Sequence, residues 1–229
     1  MRGREFKDSV FEQFARVAAA FGSPKRVEIV DLLAQGERAV ESIATVTGMS
    51  VANTSQHLRV LRNAGLVVSR RDGLHVVYRI SDPSVVAGYV AVRAVAEARL
   101  GEVRELAEAF FGDVDGVEPV GIAELVARAA SGDVVLVDVR PRVEFEAGHL
   151  PGAVNIPLAE LADRTAELDP AAQVVAYCRG PYCVLSAQAV AQLRGSGIDA
   201  RRLDAGPIEW HAHGLPLAAG SSGDEALVS

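Results

Sequence analysis

Apolar residues at helical spacing run through the first sixty positions. They predict a packing helix over 5–21, with apolar positions at Phe6, Val10, Phe11, Phe14, Val17 and Phe21. Ser23-Pro24 predicts the start of a second helix that ends near 33. A third helix is predicted over 39–46. A fourth begins at Ser50 and continues to about Asn63, with Ala64-Gly65 after it.

The pattern then changes to strands. Residues 66–69 and 74–80 read as two strands of a hairpin, because Asp72-Gly73 is a strong turn signal between apolar runs. Asp82-Pro83 opens a helical stretch predicted to reach residue 111. A helix of this length needs somewhere to bury its apolar face, and a partner subunit is the natural candidate. Residues 112–118 are predicted to be a linker.

The second half alternates strands with helices. Strands are predicted at 134–139, 173–177 and 201–203, and helices at 121–130, 141–147, 158–168, 184–194 and 208–213. Such alternation predicts an open α/β sheet with parallel strands. We therefore expect one domain over 5–111, a second over 119–217 and a flexible tail over 218–229.

Helix, turn, helix and hairpin in this order predict a winged helix-turn-helix, an α+β fold whose fourth helix would lie in the major groove of DNA. The residues expected to face bases or phosphates are Ser50, Asn53, Thr54, Ser55, Gln56 and His57, with Arg59 and Arg62 one turn further on and Arg70, Arg71 and Arg79 on the wing. For any single residue a solvated helix face is the simpler reading. The ordered set favours double-stranded DNA as a partner.

Composition and charge agree with two domains of different kinds. The 229 residues contain 49% hydrophobic side chains and no long uncharged apolar run, and the N-terminus lacks the apolar core of a signal peptide. We therefore expect a cytoplasmic protein without a membrane partner. The net charge is −7, but residues 1–100 hold 14 basic against 10 acidic side chains and residues 101–229 hold 9 against 20. This asymmetry is expected if only the first half meets phosphate.

The two cysteines of the chain, Cys178 and Cys183, stand five residues apart in YCRGPYC, directly after a predicted buried strand. A thiol on a loop between a strand and a helix is stabilised as thiolate by backbone N–H groups and the helix dipole. Two ordinary buried cysteines are the alternative. In a reducing compartment a permanent disulfide is not expected, so a bond between them would be transient.

The N-terminal half resembles the ArsR/SmtB family over about residues 11–100, most clearly in SVANTSQHLRVLRNAGLV. The resemblance implies a homodimeric repressor that binds an imperfect palindrome and leaves it when an inducer arrives. The metal-binding cysteines of many relatives are replaced here by Ala39 and Glu41, and the helix from Pro83 has neither His nor Cys. His57, His75, His211 and His213 form no ligand set. We expect no metal and no cofactor.

The C-terminal half resembles a rhodanese domain over about residues 117–217, in LVDVRPRVEFEAGHLPGAVNIP, in the cysteine loop and in LDAGPIEWHAHGLPL. The resemblance implies that Cys178 carries a persulfide, held by N–H groups of a loop that includes Arg179, Gly180 and Tyr182. The residues expected to brace the loops through buried polar bonds are Asp138, Arg140, Glu144 and His149.

One departure from that pattern changes the expected chemistry. Cys183 stands where a single-domain rhodanese has an arginine that clamps the anionic donor. Efficient thiosulfate turnover is therefore not expected, and neither is the related phosphatase or arsenate-reductase chemistry. Arg179 could partly replace the missing guanidinium, while Pro181 removes one N–H from the loop.

The leading hypothesis is a transcriptional repressor whose rhodanese domain senses reactive sulfur or oxidant, with Cys178 as nucleophile and Cys183 as resolving thiol. A weak sulfurtransferase that carries a DNA-binding domain is the alternative. In a third interpretation the rhodanese domain is only an interaction surface. The sequence leaves open the operator, the target genes, the inducer (polysulfide, peroxide or arsenite) and the direction of the response.

Overall fold

The computed structural model describes residues 2–115, 119–130, 134–169 and 171–221, and the chain divides into two compact units, Met1–Arg99 and Leu100–Ser229. The first unit contains, in chain order, α1 (Gly3–Phe21), α2 (Pro24–Leu33), β1 (Arg38–Ala39), α3 (Val40–Val46), α4 (Val51–Asn63), β2 (Val67–Asp72), β3 (His75–Ile80) and α5 (Pro83–Arg99). This order confirms the predicted winged helix-turn-helix.

The strands of the first unit form an antiparallel sheet in the order β1-β3-β2. The β2–β3 hairpin is longer than predicted, because residues 70–72 continue strand β2 and Asp72 pairs with His75. Gly73 adopts a left-handed conformation with φ 58°, which glycine enters without steric penalty. The turn therefore lies at Gly73-Leu74, one residue later than the pattern indicated.

Buried apolar side chains from its helices and from β2 form the interior of the first unit. The most deeply buried of them are Ile29, Val30, Ile43, Leu58, Leu61 and Val67. Helix α4 contributes Leu58 and Leu61, which with Thr54 form its inner face at the spacing of one helical turn. The opposite face of α4 is consequently left to solvent.

The long helix predicted from residue 83 to residue 111 is two helices. Helix α5 ends at Arg99, and α6 (Gly101–Asp115) begins two residues later. Continuous periodicity predicted one helix, but Gly101 is a poor residue for a helix interior and interrupts it. Helix α6 packs against α10 and belongs to the second compact unit. Residues 112–115 of the predicted linker are helical, and 116–118 lie outside the described residues.

The second unit is the predicted α/β domain. After α6 its elements are α7 (Ile122–Ala130), β4 (Val134–Asp138), α8 (Arg142–Ala147), β5 (Val154–Asn155), α9 (Leu161–Arg164), β6 (Gln173–Tyr177), α10 (Val184–Gly195), β7 (Ala200–Arg202) and α11 (Pro207–Ala212). The strands are parallel in the order β5-β4-β6-β7, so β4 and β6 occupy the centre of the sheet. Both centre strands are near-continuous apolar runs, as expected for strands covered on both faces.

Side chains alternate across this sheet and form two cores. One contains Ala176, Cys178 and Val190 with the apolar face of α10, and the other contains Val175, Tyr177 and Trp210. The helix predicted over 158–168 is shorter than expected: the one-turn α9 is flanked by 3-10 turns at Leu158–Glu160 and Thr165–Glu167.

The predicted flexible tail begins with an ordered segment. Ala218 is buried and exchanges two backbone hydrogen bonds with His149, each 2.9 Å long, and the Gly220 N–H donates to the Glu146 carbonyl oxygen. Residues 222–229 lie outside the described part of the chain. Of the helices that are described, none combines the length and the apolar character needed to cross a bilayer.

Candidate functional site

The two cysteines close a short loop at the carboxyl end of the central strand β6. Cys178 directly follows β6, and Cys183 is the N-cap residue of α10. They are joined by a disulfide whose Cα atoms lie 6.1 Å apart. The sequence predicted free thiols with only a transient bond between them, whereas the structure has the bonded form. Both cysteines lie at the carboxyl end of a parallel strand, where open α/β sheets place their ligand-binding and active sites.

The loop offers fewer anion-binding donors than the resemblance implied. Pro181 has no N–H, and the N–H of Cys183 donates to the Gly180 carbonyl oxygen at 3.1 Å. Cys178 is only 1% exposed and packs in the core beneath α10, while Cys183 is half-buried. Tyr182 is exposed at the tip of the loop. In the bonded form the nucleophile predicted from sequence is therefore inaccessible to a large anionic donor.

Arg179 does not replace the missing anion clamp. Its guanidinium makes two hydrogen bonds to the carboxylate of Glu144 on α8, with Nε–Oε2 at 2.9 Å and Nη2–Oε1 at 2.8 Å. Glu144 is buried. A bidentate pair of this kind fixes the orientation of both planar groups. Arg179 thus joins the cysteine loop to α8. This contact disfavours the expectation that Arg179 partly replaces the absent arginine.

Asp138 and Arg140 form a fully buried ion pair beside this brace. Arg140 donates to both carboxylate oxygens of Asp138 and to the carbonyl oxygen of Gly148. Burial by itself would lower the pKa of Arg140, but the Asp138 carboxylate outweighs it and raises the pKa. Burial raises the pKa of the neighbouring Tyr177 phenol well above its usual value, and Asp138 raises it further. The hydrogen bonds of Arg140 thus join Asp138, at the end of β4, to the turn at Gly148.

Backbone packing beneath the loop depends on one glycine that the sequence analysis did not single out. A Cβ on Gly206 would lie 2.3 Å from the Arg179 carbonyl oxygen and 2.7 Å from that of Cys178. Only glycine permits this approach, because any side chain would clash with these carbonyl groups. The backbone conformation of Gly206 does not itself require glycine, since it is ordinary extended backbone. The Glu209 carboxylate accepts the Gly206 N–H at 2.8 Å and also lies against Gly180.

Arg202 is a second contact of the loop that the sequence did not reveal. It ends the edge strand β7, is 4% exposed, and donates from Nη1 to the Pro181 carbonyl oxygen at 3.2 Å. A short strand of three residues carries no periodicity that separates a buried arginine from a solvated one. The contact depends on the register of β7 beside β6, which pairs Ala176 with Arg202.

Helix α4 presents most of the predicted DNA-reading residues on its outer face. The Ser50 hydroxyl caps the helix by accepting the Asn53 N–H, and Asn53, Gln56, Arg59 and Arg62 are exposed, with Ser55 and His57 half-buried. Thr54 is the exception. It is fully buried, and its hydroxyl donates to the Ser50 carbonyl oxygen at 3.0 Å. The prediction that Thr54 faces DNA is therefore wrong, because its position falls on the inner face.

The three wing arginines differ in how strongly they are held. Arg70 pairs with Glu37 and Asp72, and its hydrogen bond lowers the pKa of Glu37. Arg79 donates to the carbonyl oxygen of Ile80 at 3.1 Å, and the side chain of Arg71 is exposed. Contact with phosphate would require Arg70 to leave its carboxylates, so its predicted role is the least favoured of the three.

Among the described residues, no group of three or more His, Cys, Asp or Glu side chains is arranged to hold a metal ion. Ala39 and Glu41 stand at the start of α3, where the resemblance would place metal-binding cysteines. His75 lies 3.5 Å from the Glu41 carboxylate on the surface, a contact that involves no third ligand.

Comparison with known proteins identifies both halves. Residues 23–69 match the family described as bacterial regulatory protein, arsR family, and residues 122–213 match the rhodanese-like domain. The HTH-type transcriptional regulator Rv0324 of Mycobacterium tuberculosis is 46% identical over 215 residues, which cover 94% of each chain.

Two solved structures align with separate parts of the chain. One is the homodimeric winged helix-turn-helix DNA-binding domain of Mb0332 from Mycobacterium bovis, a fragment of residues 1–100, with 43% identity over 44% of this chain and 91% of that one and a TM-score of 0.41. The other is a rhodanese-related protein from Thermoplasma volcanium, with 24% identity over 44% of this chain and 98% of that one and a TM-score of 0.40. Since full-length similarity to Rv0324 joins the two matched regions in one chain, this protein belongs to the ArsR family of bacterial regulators and carries a C-terminal rhodanese-like domain.

Proposed function

We propose that this ArsR-family regulator senses reactive sulfur species or oxidants through Cys178 and Cys183 and changes its affinity for operator DNA in response. The observation that carries the proposal is the bond between the two cysteines across the loop. Cys183 occupies the position of a substrate-binding arginine in the resembled rhodaneses. A second thiol at that position is suited to resolving an intermediate on Cys178.

The proposed chemistry has two steps with a low-molecular-weight persulfide RS–SH. The Cys178 thiolate attacks the terminal sulfur, forming Cys178–S–SH and releasing RS⁻. The Cys183 thiolate then attacks the Cys178 sulfur, the Cys178–S–SH bond breaks, and HS⁻ leaves as the disulfide forms. Each cysteine sulfur loses one electron, and the two electrons reduce the S–S bond of the donor. With hydrogen peroxide the intermediate is Cys178–SOH, and each step releases one hydroxide.

The surroundings of the loop favour a small or uncharged donor over thiosulfate. Position 183 has no guanidinium, Arg179 is bound to Glu144, and Pro181 contributes no N–H. Glu209 places a further carboxylate against Gly180. Negative charge next to the loop disfavours a dianionic donor. The loss of efficient thiosulfate turnover is compatible with a sensor, because a sensor needs only one oxidation of the cysteine pair for each signal.

We also propose that the regulator binds DNA as a homodimer through α1 and α5. The chain of one protomer leaves phenylalanines of α1 in solvent, namely Phe6, Phe11 and Phe14 with exposures of 57–62%, and Val95 of α5 is 64% exposed. Exposed apolar side chains of this kind on a helix are stabilised by burial against a symmetric copy. Two α4 helices in one dimer would then meet successive major grooves.

The test compares the full-length protein with Cys183→Ser and Cys178→Ser. The DNA is a duplex selected from a random-sequence pool, once by the dithiothreitol-reduced protein and once by protein treated with sodium tetrasulfide. We expect the wild-type affinity to change about 5- to 150-fold between the two states. Mass spectrometry should find a Cys178–Cys183 disulfide in the treated wild type and an added sulfur on Cys178 in Cys183→Ser.

In both variants the affinity should no longer respond to treatment. A Cys183→Ser protein that responds like the wild type would reject the resolving role of Cys183. Peroxide and arsenite are applied in parallel to identify the inducer class.

The alternative function, a sulfurtransferase with an attached DNA-binding domain, is supported by the match of residues 122–213 to the rhodanese-like domain. It predicts multiple turnovers with a persulfide donor and a thiol acceptor, at a rate abolished by Cys178→Ser. In that case the affinity for DNA would be the same before and after tetrasulfide treatment.

A further inference from the structure

Arg202 lies between the cysteine loop and helix α6. Its Nη1 donates to the Pro181 carbonyl oxygen at 3.2 Å and to Asp204 Oδ1 at 3.2 Å. Strand β7 places it on the same side of the sheet as Ala200 and Cys178, which belong to the core beneath α10. The side chain is 4% exposed, so its planar guanidinium has little freedom to reorient without moving a neighbour.

The guanidinium lies over an aromatic ring of α6. The Cζ atom of Arg202 lies 4.4 Å from the centre of the Phe111 ring, within the range of a cation–π interaction. Phe111 is buried at 9% exposure, whereas the adjacent Phe110 is 47% exposed. Arg202 therefore connects a carbonyl group inside the cysteine loop to one residue in the last two turns of α6.

A second connection links the loop to the same helix. Cys183 is the N-cap residue of α10, and the Ser186 hydroxyl in the first turn donates to its carbonyl oxygen. Helix α10 packs along α6. A change in the position of Cys183 therefore acts on α6 through the start of α10 as well as through Pro181 and Arg202.

Helix α6 is the element that adjoins the DNA-binding unit in the chain. It begins at Gly101, two residues after α5 ends at Arg99. Closing the disulfide fixes the ends of the loop 6.1 Å apart at their Cα atoms, and its opening releases that constraint. The loop thus has two covalent states, disulfide and dithiol, and coupling between sites requires that each state favours a different arrangement of its neighbours.

We propose that Arg202 and Phe111 are positioning residues that transmit the state of the Cys178–Cys183 pair to helix α6, and through its connection to α5 to the DNA-binding unit. This inference rests on the proposed sensing function. Two contacts of the Arg202 guanidinium carry this inference: its hydrogen bond to the Pro181 carbonyl oxygen and its position over the Phe111 ring.

The test uses full-length Phe111→Leu and Arg202→Lys. Phe111→Leu keeps an apolar side chain but removes the ring, and Arg202→Lys keeps the charge but removes the planar group. Arg201→Lys is the matched control, since Arg201 precedes Arg202 in the same strand and pairs instead with Glu124 on α7. Hydrogen exchange of the amides of α6 is measured in the dithiol and disulfide forms of each protein. Mass spectrometry verifies that each variant still forms the disulfide with tetrasulfide.

In the wild type and in Arg201→Lys, we expect exchange in α6 to differ about fivefold or more between the two forms. In Phe111→Leu and Arg202→Lys the difference should vanish while disulfide formation persists. If the variants keep the difference, the role of Arg202 and Phe111 is overturned. The same holds if the α6 amides of the wild type exchange at equal rates in the dithiol and disulfide forms.

DNA binding by the same samples separates this inference from the proposed function. If wild-type affinity does not respond to the disulfide, the sensing function fails, and the exchange data alone decide whether the loop is coupled to α6. If wild-type affinity responds, Phe111→Leu and Arg202→Lys should reduce that response, and an undiminished response would contradict the proposed route.

Discussion

Arg179 stands beside Cys178 in sequence, but its guanidinium faces the buried carboxylate of Glu144. Arg179→Gln would remove a positive charge and two hydrogen bonds from that buried carboxylate. We expect a loss of about 3–5 kcal/mol in the free energy of unfolding. Urea unfolding followed by Trp210, the one tryptophan of the chain, reports this value for the second unit.

Arg142→Gln is the matched control for this prediction. Arg142 pairs with Glu146 on the same helix α8, but it is 71% exposed. An exposed pair contributes at most about 1 kcal/mol. Equal losses for the two variants would show that Glu144 is not held by Arg179.

Thr54 and Gln56 lie on opposite faces of α4, so their substitution should affect different properties. Gln56→Ala removes an exposed amide that is placed to read a base, so affinity for the selected duplex should fall about 5- to 150-fold, while thermal stability stays unchanged.

Thr54→Ala removes a buried methyl and hydroxyl group, so it should lower the free energy of unfolding by about 1–3 kcal/mol. Band shifts and thermal unfolding of both variants check the pair. A stable Thr54→Ala protein with impaired DNA binding would contradict the burial of Thr54.

At the scale of elements, helix α1 exposes several large apolar side chains in the monomer. Phe14 is 62% exposed, and in a symmetric dimer Phe14→Glu changes two copies at once. Burying one phenylalanine stabilises by about 1.5–3 kcal/mol, so two lost copies should raise the dimer dissociation constant by roughly a hundredfold or more.

Sedimentation velocity over a range of protein concentrations measures this change. Leu74→Glu serves as the control, because Leu74 is the 99% exposed residue at the tip of the wing and lies outside α1 and α5. An unaltered dissociation constant in Phe14→Glu would remove α1 from the proposed interface.

At the scale of the whole molecule, charge is divided between the units. The chain carries −7 overall, with the acidic excess in residues 101–229. If phosphate is met only by the first unit, log affinity should fall linearly with log salt in spite of the negative total. In the dimer Arg62→Gln should lower the steepness of that slope by about 2, or about 1 for each protomer. Arg104→Gln on the exposed face of α6 should leave the slope unchanged.

The sequence by itself determined both folds and the position of the cysteine loop. Strong helical periodicity, the turn near Gly73 and the apolar runs of β4 and β6 are local properties, so most helices and the strands of the hairpin and of the sheet centre were predicted within a few residues of their observed bounds. The short strands β1 and β5 and the division between α5 and α6 were not predicted. The two cysteines were informative because they are so few and because they follow the central strand of a parallel sheet. Most side chains on the outer face of α4 were also found, since a cap at Ser50 fixes the phase of that helix.

Only the tertiary structure decided which groups act together. Arg179 pairs with Glu144 across 35 positions, and Arg202 reaches Pro181 across 21. Contacts of this range depend on strand register and on which helix covers each face of the sheet, neither of which local spacing encodes. The unit to which α6 belongs also depends on long-range contacts. Periodicity continues through residue 100, but packing against α10 assigns the second helix to the rhodanese-like unit.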